Sequence, residues 1–221
     1  MRIIVTAGPT REYLDPVRFL SNPSTGKMGF AIAAEAARRG HEVVLVAGPV
    51  ALKTPKGVER VDVVSAREMM AAVLAAVGDS KRTPARETML IATAAVADWR
   101  PAKCAAKKLK KGEMSGVLKL VRNPDILKTV DSYRKRSKAV GLRLVGFAAE
   151  TNDVLKEAAR KCREKGLSFI VANDVTQKGC GFGTDTNKVT FVFPDGTQRK
   201  FPLMTKRRVA MEILKESERE R

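Results

Sequence analysis

Histidine is almost missing from this sequence: 221 residues contain one, His41, placed in an RGHEV turn ahead of a strand-like run. Imidazole-based triads and histidine metal sites would have to use that residue. It has no identifiable partner for proton shuttling, so it reads as an ordinary turn residue. Cysteine is scarce as well. Cys104, Cys162 and Cys180 are odd in number, widely spaced and free of metal-ligand spacing, which points to reduced thiols rather than a disulfide framework or zinc. Aromatics amount to only 5%, with no RNP aromatics, recognition-helix pattern or zinc knuckles. That argues against nucleic acid as the main partner. No apolar run approaches the roughly 20 residues of a membrane span. The N-terminus enters a β-like run at once, without the regions of a signal peptide, so a cytoplasmic protein away from membranes is expected. Low-complexity linkers and internal repeats are absent too.

What is abundant is positive charge. The net charge of +18 gathers in clusters such as KKLKK (107–111), YRKRSK (133–138) and KRR (206–208). Such clusters could hold nucleic acid, form solvated faces, or supply positive potential for a small polyanion. At 44% hydrophobic residues the chain is long enough for one large α/β domain spanning 1–221.

Short β-branched runs at 3–7, 42–47, 60–64, 88–95, 142–148 and 167–173 alternate with Ala-rich periodic segments at 26–39, 65–77 and 152–166. This alternation predicts a three-layer α/β/α, Rossmann-like, mostly parallel sheet with both faces covered. Two further runs flank PDG in 187–203 and predict an antiparallel hairpin, followed by a closing helix with a charged, frayed end. Residues 99–122 interrupt the pattern with charge, Pro and Gly and predict a protruding flap.

The stretch SNPSTGKMGFAIAAEAARRG (21–40) resembles two phosphate-binding motifs and satisfies neither. A Walker A would need Gly and Ser/Thr where Ser21 and Met28 stand. A dinucleotide turn would need its glycines directly after the first strand, not beyond a long polar segment. An NAD(P)-dependent oxidoreductase is disfavoured further because Ala47-Gly48 stands where an acid would hold the adenosine ribose. A glycine-bearing loop entering an Ala-rich helix still offers unpaired N–H groups and a positive dipole end to an anion. The loops after the other strands add ATAAVADWRP, GFAAETND and VANDVTQKGCGFGTD. Together they make a polyanion-binding cleft with no imidazole base and no evident Ser or Cys nucleophile. Such a site favours reactions driven by positioning and electrostatics.

Taken in order, TAGPTREYLDPVRFLSNPSTGKMGFAIA, AAVADWRP, KKLKK, VRNPDIL, VGFAAET and VANDV…GFGTD…NKV closely resemble the bacterial phosphopantothenoylcysteine synthetase family from residue 3 to about residue 206. The resemblance implies ligation of cysteine to 4′-phosphopantothenate in coenzyme A biosynthesis. CTP is the co-substrate, an acyl-cytidylate the intermediate, and CMP and pyrophosphate are released. By that resemblance Gly8, Ser24, Gly26 and Gly29 line the nucleotide phosphates. Ala92, Thr93, Ala94, Asp98, Pro124, Asp125, Ile126, Leu127, Phe147, Lys161, Lys165 and Asn173 complete the nucleotide contacts. Arg18, Asn22, Ala94, Ala95 and Asp98 meet the acyl substrate, Arg18 reaching into the neighbouring subunit's site of a homodimer. Lys108 is the flap lysine that closes over the reacting phosphates, with Lys107 beside it, and Asn22 acts on the cytidylate. Mg²⁺ is expected on the triphosphate, its protein ligands undetermined. In many bacteria the unit is fused to a flavin-dependent decarboxylase. That half is not in this sequence, so a separate phosphopantothenoylcysteine decarboxylase, or a longer parent chain, is expected.

Overall fold

A computed structural model describes residues 1–78, 87–110, 112, 116–139, 141–150, 153–174, 176–177 and 179–219. The first half of the chain forms β1 (Arg2–Ala7), β2 (Arg11–Tyr13), β3 (Phe19–Ser21), α1 (Lys27–Arg38), β4 (Glu42–Ala47), β5 (Val58–Asp62), α2 (Ala66–Gly78) and β6 (Thr88–Ala92). Then come β7 (Trp99–Pro101), β8 (Leu120–Arg122), α3 (Ile126–Ser137), β9 (Leu142–Glu150), α4 (Val154–Glu164) and β10 (Phe169–Asp174). The last part holds β11 (Thr186–Asn187), β12 (Val189–Val192), β13 (Gln198–Lys200), β14 (Met204–Thr205) and α5 (Lys206–Arg219).

The main sheet runs β13-β12-β10-β9-β6-β1-β4-β5, parallel from β10 to β5 and antiparallel at β12 and β13. Counting only parallel strands, the order is the doubly wound 3-2-1-4-5-6, with the chain reversing direction across the sheet between β1 and β6. The predicted architecture and hairpin are therefore present. Strands covered on both faces explain the unbroken apolar runs. Ile3, Val5 and Ala7 of β1 join Ile32, Ala36, Ile213 and Leu214 in one cluster, while Ile4 joins Met69, Val73, Val130 and Cys162 in the other. Helices α1 and α5 thus cover one face, and α2, α3 and α4 the other. Each fully buried Ile, Leu or Val contributes about 1.5–3 kcal/mol.

Three features depart from the sequence reading. Helix α3 was not foreseen: apart from Ile126 and Val130 its buried face is the carboxylate Asp131, held by Arg134 and by Lys135 at 2.7 Å. Residues 11–21 form a β2–β3 ribbon. The end of α5 is not frayed as far as Arg219: Glu216 and Ser217 are buried, and Glu216 meets Arg199 of β13. Thr151, Asn152, Val175, Lys178 and the final Glu220-Arg221 of the predicted loops and tail lie outside the described residues. None of the three cysteines forms a disulfide; Cys162 and Cys180 are buried and Cys104 is exposed.

Helix α1 ends in a Schellman turn: Gly40 (φ 79) takes the left-handed position while its N–H and that of His41 return to Ala37 and Ala36. Just before that turn, buried Glu35 accepts from Arg38 Nη2 at 2.6 Å and Arg39 Nε at 2.9 Å. Arg39 continues to Glu218 at 2.8 Å, and His41 Nε2 lies 3.1 Å from the same carboxylate, so the network ties α1 to α5. The Arg38 hydrogen bond, against an opposing push from burial, holds the Glu35 carboxyl down at about 2. A depressed carboxyl stabilises fully above its unfolded pKa of about 4.3 and loses that contribution as pH falls through the folded value. Glu35→Gln is therefore expected to unfold at lower urea concentration than the parent at neutral pH, with the gap narrowing between about pH 4 and the folded value near 2. A gap that stays constant, or grows, on acidification would show that Glu35 contributes through shape alone.

Candidate active site

Ligands of doubly wound sheets bind beyond the carboxyl ends of the strands, where the order reverses. Here that point lies between β1 and β6, and the chain keeps the two loops paired past the strands. Pro9 bridges Ala95, the Ala95 N–H donates to Gly8 O at 2.9 Å, and Thr93 Oγ1 donates to Thr6 O at 2.6 Å. Buried Thr10 accepts the Ala97 N–H at 3.0 Å. These bonds make a rigid floor of small residues.

Helix α1 descends onto that floor at very short range. A Cβ added at Gly29 would lie 2.5 Å from Ala7 Cβ and 2.6 Å from Thr93 Oγ1. Gly26, the N-cap at φ 78, has no side-chain cap and packs over Gly8, itself at φ 78. Gly48 is equally constrained, since a Cβ there would meet the Pro9 carbonyl oxygen at 1.7 Å. The position that would carry a ribose-binding acid is thus filled by a backbone contact. The first turn of α1 has no acidic residue, so its N–H groups and dipole face the crevice uncompensated.

Two adjoining cavities open there, sharing Thr93, Phe147, Ala149 and Phe182 in their walls. The larger, about 400 Å³, is within the range of ligand sites. Its walls include the expected Ala92, Ala94, Ala95 and Asp98, then Pro124, Asp125, Ile126 and Leu127, and Asn22 and Lys165. The smaller, about 70 Å³, holds Ser24, Gly26, Gly29 and Asn173. Asn22 Nδ2 donates to Ala95 O at 3.1 Å and Val96 O at 3.3 Å, which pins its amide to the rim. Asp98 does not pair with Arg100, whose guanidinium goes to Arg122 O and Asn123 Oδ1. Asp125 caps α3 through the Lys128 N–H at 3.1 Å and meets Lys165 Nζ at 2.9 Å. Burial works to raise its carboxyl, but Lys165 and the Lys128 N–H prevail and hold it below the ordinary carboxylate range.

The remaining expected residues stand apart from these walls. Gly8 lies beneath Gly26, and Lys161 one turn before Lys165 in α4 is not part of either lining. Lys108 is exposed on the 99–122 segment, which is rooted in the β7–β8 ribbon; its residues 111 and 113–115 lie outside the described ones. That segment rests on the turn after β2. Ala105 N–H donates to Leu14 O and Leu109 N–H to Asp15 Oδ2, while Arg18 Nη2 bonds both Asp15 and, at 2.8 Å, Leu109 O. Arg18 above all, with the Val17 and Leu109 N–H groups, keeps the buried Asp15 carboxyl well below the usual range. Arg18 is therefore bound within its own chain, next to the residue that follows Lys108.

Sequence reasoning missed Thr25, Lys27, Phe182 and Lys206 in the smaller cavity. The GFGTD motif was the available signal for Phe182. Lys206 belongs in sequence to the basic KRR cluster, yet it is buried, with Nζ 2.6 Å from Thr184 O and 3.1 Å from Phe182 O. Burial first, and Lys27 next, lower its pKa. Among the described residues no three His, Cys, Asp or Glu side chains converge on a metal-sized site. No helix among them is long and apolar enough to cross a membrane.

A doubly wound sheet with backbone N–H groups at one wall of its reversal point defines an α/β domain with a cleft beyond its strand ends. The chain belongs to the family of the DNA/pantothenate metabolism flavoprotein C-terminal domain, whose model matches residues 1–219. It is 46% identical over 215 residues to the Coenzyme A biosynthesis bifunctional protein CoaBC of Bacillus subtilis, covering 97% of this chain and 50% of that protein. For CoaBC of Escherichia coli K12 the values are 47% over 219 residues, 98% and 51%. The chain thus spans about half the length of these relatives. The crystal structure of the C-terminal domain of a CoaBC superposes with a TM-score of 0.78 at 43% identity, covering 98% of this chain and 93% of that one. The H337A mutant of Cab2, solved in complex with phosphopantothenate-cysteine, superposes at 0.76 over 99% of this chain and 86% of its own, but with 14% identity it shows the fold alone.

The close seat of α1 gives a direct test. Gly29→Ala should lose about 1–3 kcal/mol to overpacking, whereas Gly181→Ala, whose Cβ would meet nothing within 4 Å, should change stability by less than about 0.5 kcal/mol. Equal losses in urea unfolding would mean that α1 is not held against β1 as described.

Proposed function

We propose that the chain is a phosphopantothenoylcysteine synthetase domain that ligates L-cysteine to 4′-phosphopantothenate with CTP, with residues 99–122 acting as its flap. The observation that carries this reading is the convergence of sequence-distant motif residues on one continuous cleft: Asn22 and 24–29, 92–98, 124–127, Phe147, Lys165 and Asn173. Kinship to CoaBC over nearly the whole chain supports the same reading.

In this reading the larger cavity takes the base and ribose, and the phosphates extend to the N–H groups of α1. The pantothenate carboxylate attacks the α-phosphorus, pyrophosphate leaves, and an acyl-cytidylate forms. The cysteine amine then attacks the acyl carbon, CMP leaves, and the amine proton is lost to solvent. Bringing a carboxylate to a phosphate opposes two anions, so Lys108 and the α1 N–H groups act where charge builds up. Mg²⁺ bound with the triphosphate would add charge neutralisation; with no protein cage for it among the described residues, it would be held mainly by phosphate oxygens. Asn22 offers donors without adding negative charge, suited to the second step. In a homodimer Arg18, oriented by Asp15, serves the neighbouring site. The decarboxylase that consumes the product is then a separate protein or the rest of a longer chain.

Rapid quench with mass detection tests the scheme. The parent should form cytidylate from CTP and phosphopantothenate, and discharge it only when cysteine is added. Asn22→Asp should form the cytidylate and pass it on about 10²-fold more slowly, by analogy with oxyanion donors. Pyrophosphate release independent of phosphopantothenate, or none with all three substrates, would refute the synthetase reading. Turnover of Asn22→Asp at the parent rate would remove Asn22 from catalysis.

A further inference from the structure

Lysine is an unfavourable residue for the first turn of a helix, where the dipole prefers an anion. Lys27 nevertheless occupies the first position of α1, in a turn without any acid, directly after the uncapped Gly26. Lys27 lines the smaller cavity together with residues 24–29, and it also lines a neighbouring hollow that it shares with Asp185 and Lys206. Two of its three N–H donors are used: one on Gly183 O at 2.9 Å and one on Asp185 Oδ1 at 2.7 Å. The Asp185 carboxylate is 85% exposed and is drawn below its ordinary pKa by Lys27 first of all. It makes a surface pair of the kind that is weak and easily exchanged.

The loop carrying Asp185 is held independently of that pair. Lys206 Nζ gathers the carbonyls of Gly181, Phe182 and Thr184, Thr25 Oγ1 donates to Phe182 O at 2.8 Å, and the Lys206 N–H reaches Asp185 O at 2.9 Å. Loosening the Lys27 contact would therefore leave the loop in place. The lining of the same cavity includes an unpartnered buried acceptor. Asn173 is 9% exposed, its Nδ2 donates to Cys180 O, and its Oδ1 is buried with no hydrogen-bond partner. An unpaired buried acceptor is costly, and a ligand that brings a hydrogen-bond donor as well as phosphate would satisfy it.

We infer that Lys27 is a phosphate ligand of the nucleotide and that Asp185 is its resting counter-ion, displaced when the polyphosphate arrives. This rests on the nucleotide reading given above and adds to it a residue pair that sets the affinity for phosphate. Asp185 lowers that affinity by the strength of its own pair with Lys27, and it shields Lys27 in the empty protein.

The test is calorimetric titration with inorganic tripolyphosphate and with CTP, on the parent, Asp185→Asn, Lys27→Gln and the double variant. Asp185→Asn should bind tripolyphosphate about two- to fivefold more tightly, the equivalent of an exposed pair. Lys27→Gln should bind it more weakly, and Asp185→Asn should add nothing in that background. Unchanged affinity in Asp185→Asn overturns the inference while leaving the nucleotide reading intact. So does an equal gain in the Lys27→Gln background, which would reduce Asp185 to a distant charge. Failure of the parent to bind either probe overturns the nucleotide reading, and this inference with it.

Discussion

The seat of α1 on the carboxyl end of β1 is the constraint on which the rest of the molecule depends. Only glycine at position 29 lets the helix approach Ala7 and Thr93 as it does, and only a backbone stack of Gly8 under Gly26 leaves the first turn open. The benefit is a set of N–H donors delivered to the point where the strand order reverses. An uncapped, unneutralised helix start costs stability. The other end of α1 offsets it, through the Schellman turn at Gly40 and the Glu35–Arg39–Glu218 network onto α5.

Around that seat the charges form an unequal arrangement. Lysines and arginines face the cleft or its cover, and the carboxylates nearest to them, Asp15, Asp125 and Asp185, each have one or more cations or N–H groups to themselves. None of them is raised toward the neutral range where a carboxyl acts as a general acid. With a single histidine committed to the α1–α5 contact, the protein has little equipment for proton transfer. It has much for holding and neutralising anions. That is the physical sense in which the proposed two-step phosphate-activated ligation suits it.

The parallel strands were legible because burial on both faces writes them as uninterrupted β-branched runs, and α1 because its alanines repeat with a helical period. Helix α3 was not, because it buries a salt-bridged aspartate where a periodic reading looks for a hydrophobe. Its N-cap Asp125 stands out in the sequence only as part of VRNPDIL. Within the site, small residues after β1 and β6 announced the crevice through strand-end logic alone. GFGTD marks Phe182 as a motif residue, but the fold-back that brings it and Lys206 to Ser24, more than 150 residues away in the chain, is not encoded locally. A lysine whose charge is consumed by three carbonyls looks, in sequence, the same as a solvated one. The roles proposed for Arg18 and Lys108 rest on family resemblance, and their neighbourhood through Leu109 on the fold.

The central claim is that the reversal point between β1 and β6, with α1 at its wall, is the nucleotide site. A crystal structure of the chain with CTP tests it most directly. The account predicts phosphate oxygens on the N–H groups of 26–29 and the cytidine in the cavity walled by 92–98 and 124–127. Nucleotide bound instead along the exposed lysines of 107–110, with both cavities empty, would contradict it.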